Sequence, residues 1–205
     1  VDGQQVRIAL DAQEVAILPS VTRTGLEPID LSGAKVTADK PFALFSNHIC
    51  TFAPADKFAC DHLQEQIYPL ATWGSQYQLV PLARRGTNER EVIYWKIVAD
   101  VDGTQVGFSV PFADLNSIGS SADSIPQCAQ FLGSDGSLVL NAGDYCEMGL
   151  RGAVQIQASQ PVIVSGMTVG QAAVLPDGSG GLGQRAGDPS LFLMPADQQF
   201  RSDYV

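Results

Sequence analysis

The 205-residue sequence predicts an all-β fold, a pseudo-duplicated antiparallel β-sandwich-like domain with long loops. Three observations predict it. Short segments rich in β-branched and aromatic residues recur along the chain, most of them bounded by Gly, Pro, Asn or Asp. No stretch sustains a helical apolar period over three turns. Several sequence blocks of the first half return in the same order in the second.

In chain order, the strand segments are residues 6–10, 15–18, 42–45, 77–82, 92–98, 106–110, 138–140 and 162–164. Asp-Gly steps beginning at Asp2, Asp102, Asp135 and Asp177 supply residues that tolerate the positive φ of tight turns. Residues 77–98 read as one hairpin with its tip at 85–89. Leu63 and Ile67, four apart, read as a single helical turn.

The repeat organises these segments. Asp2-Gly3-Gln4-Gln5-Val6 returns as Asp102-Gly103-Thr104-Gln105-Val106. Leu31-Ser32-Gly33-Ala34 and the block 38–46 around Pro41 return as Leu150-Arg151-Gly152-Ala153 and the block 158–165 around Pro161. Asp61, Pro69, Trp73 and Tyr77 align with Asp188, Pro195, Phe200 and Tyr204. This places a first β repeat at 1–100 and a second at 101–205, sharing one compact core. The copies differ in their excursions. Residues 47–73 carry both histidines and one cysteine pair, while 112–136 form a second long insertion. Loops that diverge on a repeated frame are where recognition usually resides.

Charge narrows the function classes. Twelve basic against 22 acidic residues give −10, which repels phosphate backbones and anionic lipid and excludes nucleic acid as a natural partner. Arg84, Arg85 and Arg90 read as a solvated hairpin tip. No apolar run approaches bilayer length, so membrane insertion is not expected. The chain begins at Val1 rather than Met and reads as a mature or trimmed product. The four cysteines fall as Cys50/Cys60 and Cys128/Cys146, and in an acidic, turn-rich chain they read as two local disulfides of an extracellular or cell-surface protein. Asn47, Asn88, Asn116 and Asn141 all fail the Asn-x-Ser/Thr pattern, which tilts the source toward a bacterium.

Residues 38–50, then 60–66 with Cys60-Asp61-His62, then Pro69 and Trp73-Gly74, resemble the N-terminal domain of IgGFc-binding proteins. Asn141-Ala142-Gly143-Asp144-Tyr145 and Gly187-Asp188-Pro189-Ser190 with Pro195 are similar to later blocks of the same domain, so the resemblance covers about 31–205. Asn47 stands where the family usually carries Gly, and 112–136 is longer than the family pattern. The resemblance implies a surface-exposed adhesive module. Its animal members sit in mucus-associated glycoproteins, and antibody binding belongs to particular ones among them.

Three readings of His48-x-Cys50 and Cys60-x-His62 stand side by side. The first is a disulfide with the histidines bonded to loop carbonyls. The second is a tetrahedral zinc site, since thiolate and imidazole are zinc's preferred ligands. The third is a disulfide with His48, His62 and Asp61 or Glu65 around a metal. Catalytic chemistry has weaker support, because no Gly-x-Ser-x-Gly elbow is present and no catalytic residue can be assigned. Gly178-Ser179-Gly180-Gly181-Leu182-Gly183 lacks the preceding strand and following helix that a pyrophosphate site needs. Asp100-x-Asp102-Gly103 reads as a hairpin turn rather than a calcium loop.

The expected function is therefore non-enzymatic recognition of a protein or glycan ligand on another surface, with neither cofactor nor metal. His48, Phe52, Phe58, His62 and Phe131 are the expected contacts, and a homo-oligomer is compatible with avid attachment. The alternative is a secreted hydrolase or metal-dependent enzyme centred on His48 and His62.

Overall fold

The computed structural model describes residues 5–19, 30–83, 85, 91–174 and 187–203. The chain divides into two units, residues 1–31 and 32–205. In the first, residues 5–19 form no strand. They turn at Asp11, where the Glu14 N–H donates to the Asp11 carbonyl at 3.2 Å and the Glu14 carboxylate accepts the Asp11 N–H at 2.8 Å. The strands expected at 6–10 and 15–18 are thus absent, although Val6, Ile8, Val15 and Ile17 keep the alternating pattern. Alternation favours strands only when a partner sheet buries one face.

The second unit is almost entirely antiparallel β. Its strands are β1 (Phe45–Thr51), β2 (Asp61–Gln66), β3 (Gly74–Leu79), β4 (Ile93–Ala99), β5 (Thr104–Phe108), β6 (Ser117–Ile118), β7 (Leu138–Leu140), β8 (Tyr145–Leu150), β9 (Val154–Thr168) and β10 (Leu191–Leu193). A single helical turn, α1 (Gln171–Val174), follows β9. Strands β1 and β2 make a two-stranded sheet, and the other eight make the main one. The fold class read from the sequence is correct.

Strand β9 organises the main sheet. Its first half pairs with β3 and β5, its second half with β4 and β10, and no pairing is recorded at Ser159, Gln160 or Pro161. Proline lacks the N–H a ladder needs, so the bend falls where the chain can spare a bond. The halves curl around a core containing Tyr77, Leu79, Trp95, Ile97, Leu138, Leu140, Ile156 and Val164. Trp95 stands edge-on to Phe192 at 5.7 Å and 88°. That ring occupies the space a Cβ on Gly166 would take. A second, smaller cluster lies on the other face of β4, with Val92, Tyr94, Met167, Val169, Leu63 and Ala53.

Two local expectations change. Residues 77–98 are not a hairpin, because β3 pairs with β9 while β4 pairs with β8 and β9. Residues 61–66 are strand β2 rather than a helical turn. The Gly-rich segment 178–183, with Arg84, Arg90 and Tyr204, lies outside the described residues.

Candidate functional site

The loop between β1 and β2 is closed by the Cys50–Cys60 disulfide, with Cα atoms 5.0 Å apart. It is fixed to the main sheet rather than free in solvent. The Gly170 N–H donates to the Ala53 carbonyl at 2.7 Å, and the Ala172 N–H donates to the Phe58 carbonyl at 3.1 Å. Ala53 is fully buried, and Leu63 of β2 sinks into the second cluster. The loop carries two cis peptide bonds, Ala53–Pro54 and Phe58–Ala59. The rings of Phe52 and Phe58 remain outside, 43% and 56% exposed.

The insertion after β5 meets this loop directly. The Ala55 N–H donates to the Ser121 carbonyl at 2.7 Å. Ser121 is itself held from below, because its N–H and hydroxyl donate to the Glu147 carboxylate of β8 at 2.6 and 2.5 Å. Glu147 is buried, and it faces Lys96 across the β4–β8 ladder. A buried carboxylate is costly unless its lone pairs are satisfied, so this pair of donors is what makes its position tenable. Tyr94, also buried, has its phenol pushed up to about 12, first by burial and then by the nearby Glu147 and Asp56 carboxylates, with Arg151 opposing.

Further along the insertion, the second disulfide joins Cys128 to Cys146 with Cα atoms 4.7 Å apart. Both sulfurs lie inside the main core, and a 3-10 turn, Cys128–Phe131, places the half-buried Phe131 ring against the same core. Phe131 is therefore a packing residue of the insertion's base, apart from Phe52 and Phe58.

The two histidines do not converge. His48 lies opposite Leu63, so it shares the face of β1 and β2 that turns toward the main sheet. His62 lies on the other face, where its Nε2 meets Asn47 Nδ2 at 3.2 Å. His48 Nδ1 accepts the Cys50 N–H at 3.2 Å. With both sulfurs in a disulfide and the rings on opposite faces, the tetrahedral zinc arrangement cannot form. Among the described residues no group of three or more His, Cys, Asp and Glu could hold a metal.

Arg85 differs from its sequence reading as a solvated tip. Its Nε donates to Glu91 at 2.8 Å, and its terminal nitrogens donate to the Val169 and Asp188 carbonyls at 2.6 and 3.1 Å. It clamps the end of β9 to the segment before β10. With Glu91, Arg151 and Thr168 it lines a shallow depression of about 140 Å³. Asp102 caps a turn as expected. Its carboxylate accepts the Ala142 N–H at 2.9 Å, beside Gly103 at φ 69°.

Sequence reasoning missed Ser121 and Glu147, the bond that gathers the two excursions. A lone Glu between Cys146 and Met148 was the available signal, since a charged residue inside an apolar strand asks for a buried partner.

The chain matches the IgGFc binding protein family over residues 1–205. It is also 39% identical, over 82 residues, to the human (Homo sapiens) IgGFc-binding protein. That match covers 40% of this chain and 1% of the human protein, so the chain spans only a small part of that relative. No solved structure matches it. With the family matched from first residue to last, the chain belongs to the IgGFc-binding protein family.

Proposed function

We propose that this chain is an extracellular protein-binding module that engages its partner through the two excursions gathered over β4 and β8, without catalytic chemistry. The observation that carries the reading is the junction at Ala55 and Ser121, which joins two loops distant in sequence and leaves Phe52 and Phe58 exposed beside it. Exposed aromatics on a rigidly supported loop are efficient anchors, because they contribute large apolar area with little entropy to lose. The human relative is named for binding the Fc region of IgG, which supports a protein partner over a small molecule.

The two disulfides support an oxidising, extracellular location. Among the described residues no helix is long and apolar enough to cross a membrane. Attachment to a cell surface and a bacterial source belong to the same reading, the latter supported by the absence of Asn-x-Ser/Thr sequons.

An array of extracellular proteins, with IgG Fc among them, and a glycan array probed in parallel test the proposal. The wild-type chain should bind a protein target, and Phe52→Ser with Phe58→Ser should weaken that binding by about tenfold or more. Binding confined to glycans would replace the partner class, and binding that survives the double substitution would remove the site. Turnover of an ester, peptide or glycoside, lost in His48→Ala or His62→Ala, would overturn the non-enzymatic reading.

A further inference from the structure

The β1 strand presents an edge and a face that nothing described covers. Among the described residues it pairs only with β2, and Phe45, Ser46, Asn47, His48, Ile49 and Cys50 are all exposed. The hydrogen-bond parity identifies which groups point outward. The Ile67 N–H donates to the Leu44 carbonyl at 2.8 Å, so Leu44, and by alternation Ser46 and His48, turn their backbone groups toward β2. Phe45 and Asn47 turn theirs away toward solvent, and Ile49 follows in the irregular stretch between His48 and Thr51. An exposed row of this kind is a template for another strand.

Natural edges are usually blunted by charge or proline, and β1 has neither. No Asp, Glu, Lys or Arg occurs from Pro41 to Ala55, in a chain whose net charge is −10. Neighbouring β2, by contrast, carries Asp61 and Glu65. The uncharged edge lets two strongly acidic molecules approach where mutual repulsion is least.

We propose that β1 is a homodimerisation edge, pairing antiparallel with β1 of a second copy about a two-fold axis at Asn47. This goes beyond the ligand-binding reading and does not depend on it. The register follows from which residues point outward. With Asn47 opposite its own copy, Phe45 of each molecule falls opposite Ile49 of the other, twice over. The two most apolar exposed side chains of the outer face, 51% and 84% exposed, then cover each other. Ser46 falls opposite His48, and no like charges meet. The product is a continuous four-stranded sheet, β2–β1–β1–β2. Because the strands run antiparallel, the two loops that carry Phe52 and Phe58 point in opposite directions, which suits a module that bridges two ligands.

Sedimentation velocity of the purified chain over a wide concentration range tests this. The expected result is a concentration-dependent shift from the 21.8 kDa monomer to a species of twice that mass. Ile49→Lys should weaken dimerisation by about tenfold or more, because it adds a charge to the edge. Asn47→Pro removes an outward N–H without touching a β1–β2 bond and should act the same way. Peptide mapping of an intact Cys50–Cys60 bond shows that the hairpin survives each change. As a positive test, Asn47→Cys should give a disulfide-linked dimer on a non-reducing gel, and Ser46→Cys, which faces His48, should not. A chain that stays monomeric at every concentration, or a dimer indifferent to both edge substitutions, would overturn the proposal.

Discussion

Tyr94 carries the clearest pH signature at the scale of single residues. Its phenol ionises near 10.0 in an unfolded chain and is pushed up to about 12 in the fold. Between those values the folded protein keeps a proton that the unfolded chain has lost, so stability is complete below pH 10 and falls as pH rises toward 12. Two units amount to about 3 kcal/mol across the window. Chemical denaturation at stepped pH should show this slope, and Tyr94→Phe should flatten it. A residual slope will remain, since burial also raises the Tyr77 phenol. Equal slopes in wild type and variant would show that Tyr94 is not responsible. Gly166 offers a steric counterpart. A methyl group there would strike the Phe192 ring that packs against Trp95. Gly166→Ala should therefore cost about 1–3 kcal/mol in denaturant unfolding, whereas a neutral result would mean the ring can move aside freely.

At the scale of elements, the disulfide-closed hairpin and the insertion are held by different means. A lone two-stranded ribbon is marginal in water, and closing a loop of this size contributes about 3 kcal/mol. Cys50 is exposed and Cys60 half-buried, while Cys128 and Cys146 are buried. Mild reduction without denaturant, read by differential alkylation, should open the first bond and spare the second. Equal labelling of both would contradict the burial contrast. The insertion depends on Glu147. Glu147→Ala leaves the Ser121 N–H and hydroxyl without their acceptor, at a cost of about 1–3 kcal/mol. Amide exchange at 117–127 should rise while that of β9 stays slow.

These elements also show what a sequence can reveal. Strands β4, β5 and β7 were legible within two residues because their apolar residues are bounded by turn-formers. Strand β2 was misread because a spacing of four fits both periods, being one helical turn and twice the strand repeat. Leu63 with Glu65 and Ile67 satisfies either. The 15-residue β9 was seen only at 162–164, since Pro161 reads as the start of a strand until a stretch without ladder pairing is in view. Strand β8 was hidden by Glu147 and Gly149. The first needs Ser121 from a distant loop, and the second makes room for Ile118 and the Tyr94 ring. Both are tertiary facts, and the lone Glu signals a buried partner without saying which residue it is. Likewise Phe52, Phe58 and Phe131 looked equivalent as loop aromatics, and only packing separates the last from the other two.

For the whole molecule, the account rests on a division of labour. A curled antiparallel sheet supplies rigidity, and in the proposed function two excursions fastened to one of its faces form the recognition surface. The far end of the sheet carries the compact turns at 100–103 and 141–144, where Lys35 pairs with Asp100 and Asp102 caps the backbone. That end serves as an internal reference, because its two turns are well bonded to each other. The acidic surface predicts a partner that is not itself strongly acidic, and binding to a basic partner should weaken as salt is added. The measurement that tests the central claim most directly is amide hydrogen exchange on the complex with a protein partner identified by the array. Protection should appear at 52–60 and 117–127 and be absent at 100–103 and 141–144. Protection at those turns with the two excursions unchanged would contradict the account.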